Sequence, residues 1–193
     1  MLDLDPAHLF NQALDAMEAE DLEKAERFLR SVMVQDPSDT EALLMLVGLL
    51  RDSDRGEECM QMLVGHLEHG TDVYGALVEL GDLRLSNNQP EAAAEVLRMA
   101  LELRPNGWEA LFQLGNAFSD VGAYPEAVKT YEIALASNPF GSGIWYNLAR
   151  SRTETEDIEG ATKAWRTYLR CAPDSGERRE IELVISRLEQ KRE

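Results

Sequence analysis

The sequence has few of the residues that build covalent or metal-dependent sites. Its 193 residues include only two cysteines, Cys59 and Cys171, and three histidines. The two cysteines are far apart in the chain, so we predict free thiols, with Cys59 serving as a small core residue. His66 and His69 are close in sequence, but no carboxylate or cysteine completes a familiar zinc spacing. We therefore predict no metal site and place both imidazoles near a helix C-terminus.

Positive charge is also scarce. The chain has 19 Lys and Arg residues against 36 Asp and Glu residues, which gives a formal net charge of −17 at pH 7. Binding to phosphate backbones requires clusters of Lys and Arg that displace counterions, so the charge disfavours nucleic acid and anionic membranes as partners. With 44% hydrophobic residues, the chain can still bury a core.

Long apolar runs and catalytic motifs are absent as well. No apolar run approaches the roughly 20 residues needed to span a bilayer, and the first five residues carry acids where a secretory signal would carry bases. There is no nucleophile elbow, Walker loop, Gly-rich dinucleotide fingerprint or HExxH motif. These absences lead us to expect a cytoplasmic, non-enzymatic protein without a cofactor.

What the sequence does contain is a repeat with a step of 34 residues. Four of the five positions in register with Pro139 are proline, the exception being Thr71. The same step relates small residues, which are Ala13, Val47, Gly81, Gly115 and Ala149, and large ones, which are Leu29, Leu63, Leu97, Tyr131 and Trp165. Small residues let two helices approach closely while large residues fill the space beside them. The pattern therefore predicts a row of helical hairpins.

This register resembles the tetratricopeptide repeat. The fourth repeat carries the resemblance best, through Leu111, Leu114, Gly115, Phe118, Ala127, Tyr131, Ala134 and Pro139. The resemblance implies an all-α fold, a right-handed α-solenoid of antiparallel hairpins. We expect one domain, residues 1–193, with repeats at about 6–39, 40–73, 74–107, 108–141 and 142–175 and a capping helix at about 176–191. The second repeat departs most, with Cys59, His66 and Thr71 where Ala, Ala and Pro are usual.

The resemblance also implies where a ligand would lie. In this family the first helix of each repeat lines the concave surface, which places one inner row at Phe10, Leu44, Val78, Phe112 and Tyr146. Beside that row lie Asp82, Gln113, Asn116, Asn147 and Arg150. An apolar row flanked by amides suits a peptide segment of another protein. For Phe10, Leu44 and Val78, packing against the next repeat is an equally good interpretation, whereas we expect Phe112 and Tyr146 to be exposed.

The charges beside this row predict which peptide it prefers. Only Arg51 and Arg150 oppose a larger set of acids, which are Glu18, Glu41, Asp52, Glu79, Asp82, Glu109, Asp120 and Glu154. A concave surface of one sign concentrates ligands of the other sign. We therefore expect an adaptor or co-chaperone that binds a basic and apolar segment.

Two alternatives remain open. Asn116 and Asn147 have the spacing of the two asparagines in the carboxylate clamp of chaperone-binding repeat proteins, which hold acidic C-terminal tails. That clamp is incomplete here, because Phe112, Glu177 and Ile181 stand where its basic residues would be. The other alternative is a self-assembling scaffold, a homo-oligomer in which the terminal helix or the leader with Leu2 and Leu4 docks on a neighbouring copy.

Overall fold

The chain folds as a series of helical hairpins. A computed structural model describes residues 5–51, 55–70, 72–173 and 176–191, so Leu2, Leu4, Asp52 and Thr71 lie outside the described residues. Within those ranges there are eleven helices and no strand, which confirms the predicted all-α fold. The helices are α1 (Pro6–Glu18), α2 (Leu22–Gln35), α3 (Thr40–Arg51), α4 (Gly56–His66), α5 (Val73–Ser86), α6 (Pro90–Leu103), α7 (Trp108–Asp120), α8 (Tyr124–Ser137), α9 (Ser142–Glu154), α10 (Ile158–Cys171) and α11 (Arg178–Gln190).

The 34-residue step also holds for the backbone conformation of the turns within the hairpins. We call the odd-numbered helices α1 to α9 the A helices and the even-numbered helices α2 to α10 the B helices. Four of the turns from an A helix to its B helix contain one residue with positive φ, always at the same register position. These residues are Glu20 (57°), Asn88 (57°), Gly122 (76°) and Glu156 (58°). A left-handed residue after the helix end is the usual way to terminate a helix, because it lets amides beyond the end bond to the last free carbonyls.

The helices form two compact units, Met1–Asn87 and Asn88–Glu193. Unit 1 contains α1 to α5, and its core includes Leu29, Leu43, Leu46 and Leu50, which are fully buried. On its surface, Arg30 and Arg55 form a closed ring of ion pairs with two carboxylates. Arg30 lies 2.8 Å from Glu26 and 2.5 Å from Glu58, while Arg55 lies 2.9 Å and 2.7 Å from the same two residues. The ring joins α2 to the beginning of α4.

His66 explains how the divergent second repeat still packs. Its ring is buried, with Nδ1 3.1 Å from the carbonyl oxygen of Pro37 and Nε2 2.9 Å from the hydroxyl of Thr40. A carbonyl can only accept, so Nδ1 donates to Pro37, and in the neutral ring Nε2 is the acceptor for the Thr40 hydroxyl. A β-carbon at Gly70 would collide with this ring, so the glycine makes room for it. The imidazole thus ties the end of α4 to the beginning of α3.

Unit 2 contains α6 to α11 and is built around Tyr131. This ring is fully buried among Ala127, Ala134, Trp165 and other residues of one apolar cluster. A β-carbon at Gly115 would collide with the ring, which accounts for the small residue at that position. The segment predicted as a capping helix forms α11, which packs against α10 and buries Ile181, Ile185 and Leu188. A single domain for the whole chain stays a prediction.

Candidate functional site

Unit 2 brings six of the predicted site residues together on the neighbouring helices α7 and α9. Three of them are amides joined by hydrogen bonds to one another. Asn147 Nδ2 donates to Asn116 Oδ1 over 2.8 Å, and the Tyr131 hydroxyl donates to the same oxygen, also over 2.8 Å. Asn116 Nδ2 in turn donates to Gln113 Oε1 at 2.8 Å. We call Gln113, Asn116 and Asn147 the amide row.

The amide row is fixed in orientation from the core. Burial, together with the negative charge of Asp120, raises the pKa of Tyr131 well above its usual value, so its hydroxyl keeps the proton that it donates to Asn116. The Asn116 oxygen therefore has two donors, and its amide nitrogen points at Gln113. Among the described residues, no donor is hydrogen-bonded to the Asn147 side-chain oxygen. That oxygen can accept from the backbone N–H of a ligand.

Two aromatic rings, Phe112 and Tyr146, stand beside the amide row, and both are half-buried. The Phe112 ring centroid lies 6.2 Å from that of Tyr131, and its Cζ atom lies 3.5 Å from where a β-carbon on Gly143 would be. The Tyr146 ring meets Trp165 edge-on with centroids 5.1 Å apart, while the exposed Arg150 has its guanidinium carbon 6.0 Å from the Tyr146 centroid. Each ring thus packs inside the unit with part of its surface and leaves the rest exposed.

Unit 1 holds the other predicted site residues, and here the charges are paired. Asp82 lies 2.5 Å from Arg51, and Glu79 lies 3.1 Å from the same guanidinium group. The sequence placed these two acids in a larger acidic set opposed only by Arg51 and Arg150, and the structure shows that Arg51 pairs with both of them. Phe10, Leu44 and Val78 are half-buried. A β-carbon on Gly75 of α5 would come within 3.2 Å of Leu44 Cδ1, so Leu44 covers the next A helix as Phe112 does.

A cavity of about 610 Å³ adjoins this part of unit 1. Leu44 and Met45 form its apolar wall, and its polar lining includes four acids, Asp36, Asp39, Glu41 and Asp72. The amide and hydroxyl of Ser38 donate to Asp36, at 3.0 Å and 2.6 Å, and these hydrogen bonds lower the pKa of that carboxyl. Asp39 accepts from the amide of Ala42 at 2.9 Å and caps α3. The cavity therefore combines apolar surface with negative charge.

Sequence reasoning missed two residues of unit 2, of which Tyr168 packs against the site residue Tyr146. Tyr168 stands where the register has Ala134, and its ring centroid lies 5.3 Å from that of Tyr146. Arg152 stands where the register has Phe118, and it is held by Glu132 at 2.5 Å and by the carbonyl of Gly160 at 3.2 Å. Both are departures from the 34-residue pattern, so a comparison of every register position would have found them.

In the part of the chain that the structure describes, no group of three or more His, Cys, Asp or Glu side chains is arranged to hold a metal ion. No helix there has the length and apolar character needed to cross a membrane.

Comparison with known proteins places these features in a family. The tetratricopeptide repeat model matches residues 78–120 and 112–176, together slightly more than half of the chain. The transcription factor tau 131 kDa subunit of Saccharomyces cerevisiae is 23% identical over 186 residues, covering 95% of this chain and 18% of that protein. This chain therefore spans less than a fifth of that relative's length.

Solved structures share the fold at low sequence identity. The type IV pilus biogenesis factor PilW superposes with a TM-score of 0.81 at 16% identity, covering 95% of this chain and 85% of PilW. YrrB, described as a TPR protein with an unusual peptide-binding site, gives a TM-score of 0.70 at 22% identity, covering 95% of this chain and 92% of YrrB. These likenesses show the hairpin fold alone.

Proposed function

Because this chain belongs to the tetratricopeptide repeat family, whose fold is a protein–protein interaction module, we propose that it is a non-catalytic adaptor or co-chaperone. It binds a peptide segment of a partner protein on the exposed faces of its A helices. Proteins of this family are generally non-catalytic, and the site geometry described above offers hydrogen bonds and apolar contacts rather than a reacting group.

The observation that carries this proposal is the amide row beside the rings of Phe112 and Tyr146. A peptide backbone needs hydrogen-bonding partners that are already oriented, because ordering them on binding costs free energy. The hydroxyl of Tyr131 supplies that orientation from the core. The half-exposed rings of Phe112 and Tyr146 offer apolar contacts for ligand side chains. YrrB, which shares the fold, is itself described as having a peptide-binding site.

The charges support a basic and apolar segment. The cavity in unit 1 combines Leu44 and Met45 with Asp36, Asp39 and Glu41, and none of these three acids has a basic partner among the described residues. A lysine or arginine side chain fits such a surface, because its aliphatic stem lies on the apolar wall while its charge meets the carboxylates. The net charge of −17 also favours a positively charged ligand.

Neither alternative gains support from the geometry. For a carboxylate clamp, the Asn116 amide would have to face the ligand, and it is engaged with Gln113, Tyr131 and Asn147. For self-assembly through the terminal helix, the apolar stripe of α11 would have to be available, and it is buried against α10. The docking role proposed for Leu2 and Leu4 falls outside the described residues.

The proposal is tested with two fluorescent peptides that share their apolar residues and differ only in carrying Lys or Glu between them. We expect the Lys peptide to bind more tightly in an anisotropy titration. Asn147→Ala should raise the Kd of that peptide about fivefold to tenfold, which corresponds to the loss of about one hydrogen bond. Asn106→Ala, which removes an exposed amide in the α6–α7 loop, is the matched control and should have little effect. Tighter binding of the Glu peptide would contradict the proposal.

A further inference from the structure

The outward side of α10 carries a basic stripe, which we define as Lys163, Arg166 and Arg170. These residues stand at positions i, i+3 and i+7, so they share one side of the helix. The opposite side of α10 is buried and includes Ala161, Ala164, Trp165, Tyr168 and Leu169. The stripe is therefore separate from the amide row, which lies on α7 and α9.

The basic stripe lines a groove. A cavity of about 480 Å³ is lined by the three basic residues, by Ile158, Thr162 and Thr167, and by two acids, Glu159 and Glu189. A second cavity of about 460 Å³ shares Ile158 and has Glu154, Glu156 and Lys191 in its lining. The charged lining residues therefore sum to one positive charge in the first cavity and one negative charge in the second.

Two cations of the stripe have no carboxylate partner in the part of the chain that the structure describes. Arg166 is paired with Glu189 at 2.6 Å, which ties α11 to α10. Arg170 donates to the hydroxyl of Thr167 at 3.1 Å, and the Lys163 ammonium group has no ion pair there. Glu159, one turn before Lys163, offsets part of the charge, so the cavity keeps a local excess of one positive charge.

The distribution of charge along the chain makes this excess significant. Residues 150–193 hold ten of the 19 basic residues and ten of the 36 acidic ones, so this end of the sequence is balanced. The net charge of −17 therefore arises entirely from residues 1–149. A negatively charged ligand meets the least repulsion where the local charge is balanced or positive, and beyond a Debye length of about 10 Å at 0.1 M salt the remaining charges are largely screened.

We propose that the basic stripe docks an acidic segment of a second protein, at a site distinct from the one that takes a basic segment. Lys163 and Arg170 are seven residues apart on the helix, which corresponds to about 10 Å along its axis. Two carboxylates three residues apart in a polyproline II segment, which has three residues per turn and rises about 3.1 Å per residue, share one face and lie about 9 Å apart. An apolar side chain next to the acidic pair contacts Ile158. The occupant is thus an acid-x-x-acid segment in the polyproline II conformation with an apolar neighbour.

The test uses a fluorescein-labelled twelve-residue peptide with two Glu residues three apart and one Leu beside them. The comparison peptide has Gln in place of both Glu residues. We expect the Glu peptide to bind at least about fivefold more tightly at low salt, as charge-assisted contacts should. Lys163→Glu and Arg170→Glu should each weaken it by about tenfold or more. Arg166 stays intact in both variants because it anchors α11.

Lys129→Glu is the matched control. Lys129 is exposed on α8, 34 residues before Lys163, and the substitution changes the net charge by the same amount as Lys163→Glu. We expect it to leave binding within about twofold. Lys163→Gln, which removes the charge without reversing it, tests the same contact if a reversal unfolds the protein. Binding of the basic peptide must survive Lys163→Glu, which separates this site from the amide row.

Three results would overturn the proposal. The first is equal binding of the Glu and Gln peptides. The second is an equal loss of binding in Lys129→Glu, which would mean that net charge alone matters. The third is self-association in sedimentation velocity that Lys163→Glu abolishes, which would make a second copy of this chain the occupant.

Discussion

At the scale of single residues, the turns between A and B helices show a conformational requirement that the sequence meets unevenly. The left-handed position is filled once by glycine, once by asparagine and twice by glutamate, at Glu20 and Glu156. For a residue with a β-carbon, left-handed backbone costs roughly 1–2 kcal/mol, because the β-carbon approaches the following carbonyl. Glycine avoids that cost and asparagine reduces it. The two glutamates therefore store strain in otherwise regular hairpins.

Glu156→Gly should stabilise the protein by about 0.5–1 kcal/mol, since relief of the strain exceeds the extra freedom that glycine gives the unfolded chain. Urea unfolding monitored by circular dichroism measures the change. Glu95→Gly, at an exposed position inside α6, is the control with opposite sign and should destabilise by about 1 kcal/mol. A loss of stability in Glu156→Gly would show that the side chain, rather than the backbone, decides this position.

At the scale of helices, the ring of ion pairs between α2 and α4 makes part of the stability of unit 1 depend on pH. The hydrogen bond from Arg30 lowers the pKa of Glu58, and burial opposes it only in part. Burial raises the pKa of Glu26, but the hydrogen bonds from Arg30 and Arg55 outweigh that effect and leave it lowered. Both carboxyls are therefore easier to ionise in the folded protein than in the unfolded chain.

A carboxyl with a lowered folded pKa stabilises the fold above its unfolded pKa, here 4.5, and loses that contribution as the pH falls through the folded value. Glu58→Gln should therefore lower the Tm at pH 7, and its difference from the parent should shrink as the pH falls below 4.5 and through the lowered folded pKa. Glu57→Gln, its exposed neighbour in the first turn of α4, controls for the helix dipole and should change the Tm less at pH 7. A Tm difference for Glu58→Gln that stays constant as the pH falls below 4.5 would contradict this assignment.

The helices themselves were predictable, because a strict step constrains every boundary at once. The A helices begin at Pro6, Thr40, Val73, Trp108 and Ser142, each within one residue of the predicted repeat start. How far each inner-row side chain is buried could not be predicted in the same way. The register places Leu44 and Phe112 in the inner row, but it cannot say that each covers a glycine of the following A helix, since that depends on the spacing between helices.

Side-chain pairing was equally out of reach of the repeat. Arg51 is far in sequence from Glu79 and Asp82 and meets them only because α3 and α5 are neighbours. In the sequence, His66 is a departure from the repeat pattern. Its hydrogen bonds to Pro37 and Thr40 could not be predicted, because they depend on where the loop before α3 lies in the folded protein. The residues of the amide row were predicted as ligand contacts, whereas their hydrogen bonds to one another and to Tyr131 were not.

At the scale of the whole molecule, the dominant property is the excess of negative charge. Like charges repel one another in the compact state, and salt screens that repulsion. We expect the Tm to rise as NaCl increases from about 10 mM to 300 mM, a range over which the Debye length falls from about 30 Å to well under 10 Å. Scanning calorimetry measures the rise. Asp15→Asn together with Glu18→Gln, both exposed on α1, should reduce its slope. A Tm that falls with salt would mean that the ion pairs outweigh the repulsion.

Leu44 and Phe112 each cover a glycine of the next A helix while keeping part of their surface exposed. The Phe112 ring thus packs α7 against α9 and, under the function that we propose, also contacts the peptide. A substitution that changes the spacing between α7 and α9 is then expected to change peptide affinity even where it leaves every peptide-contacting residue in place.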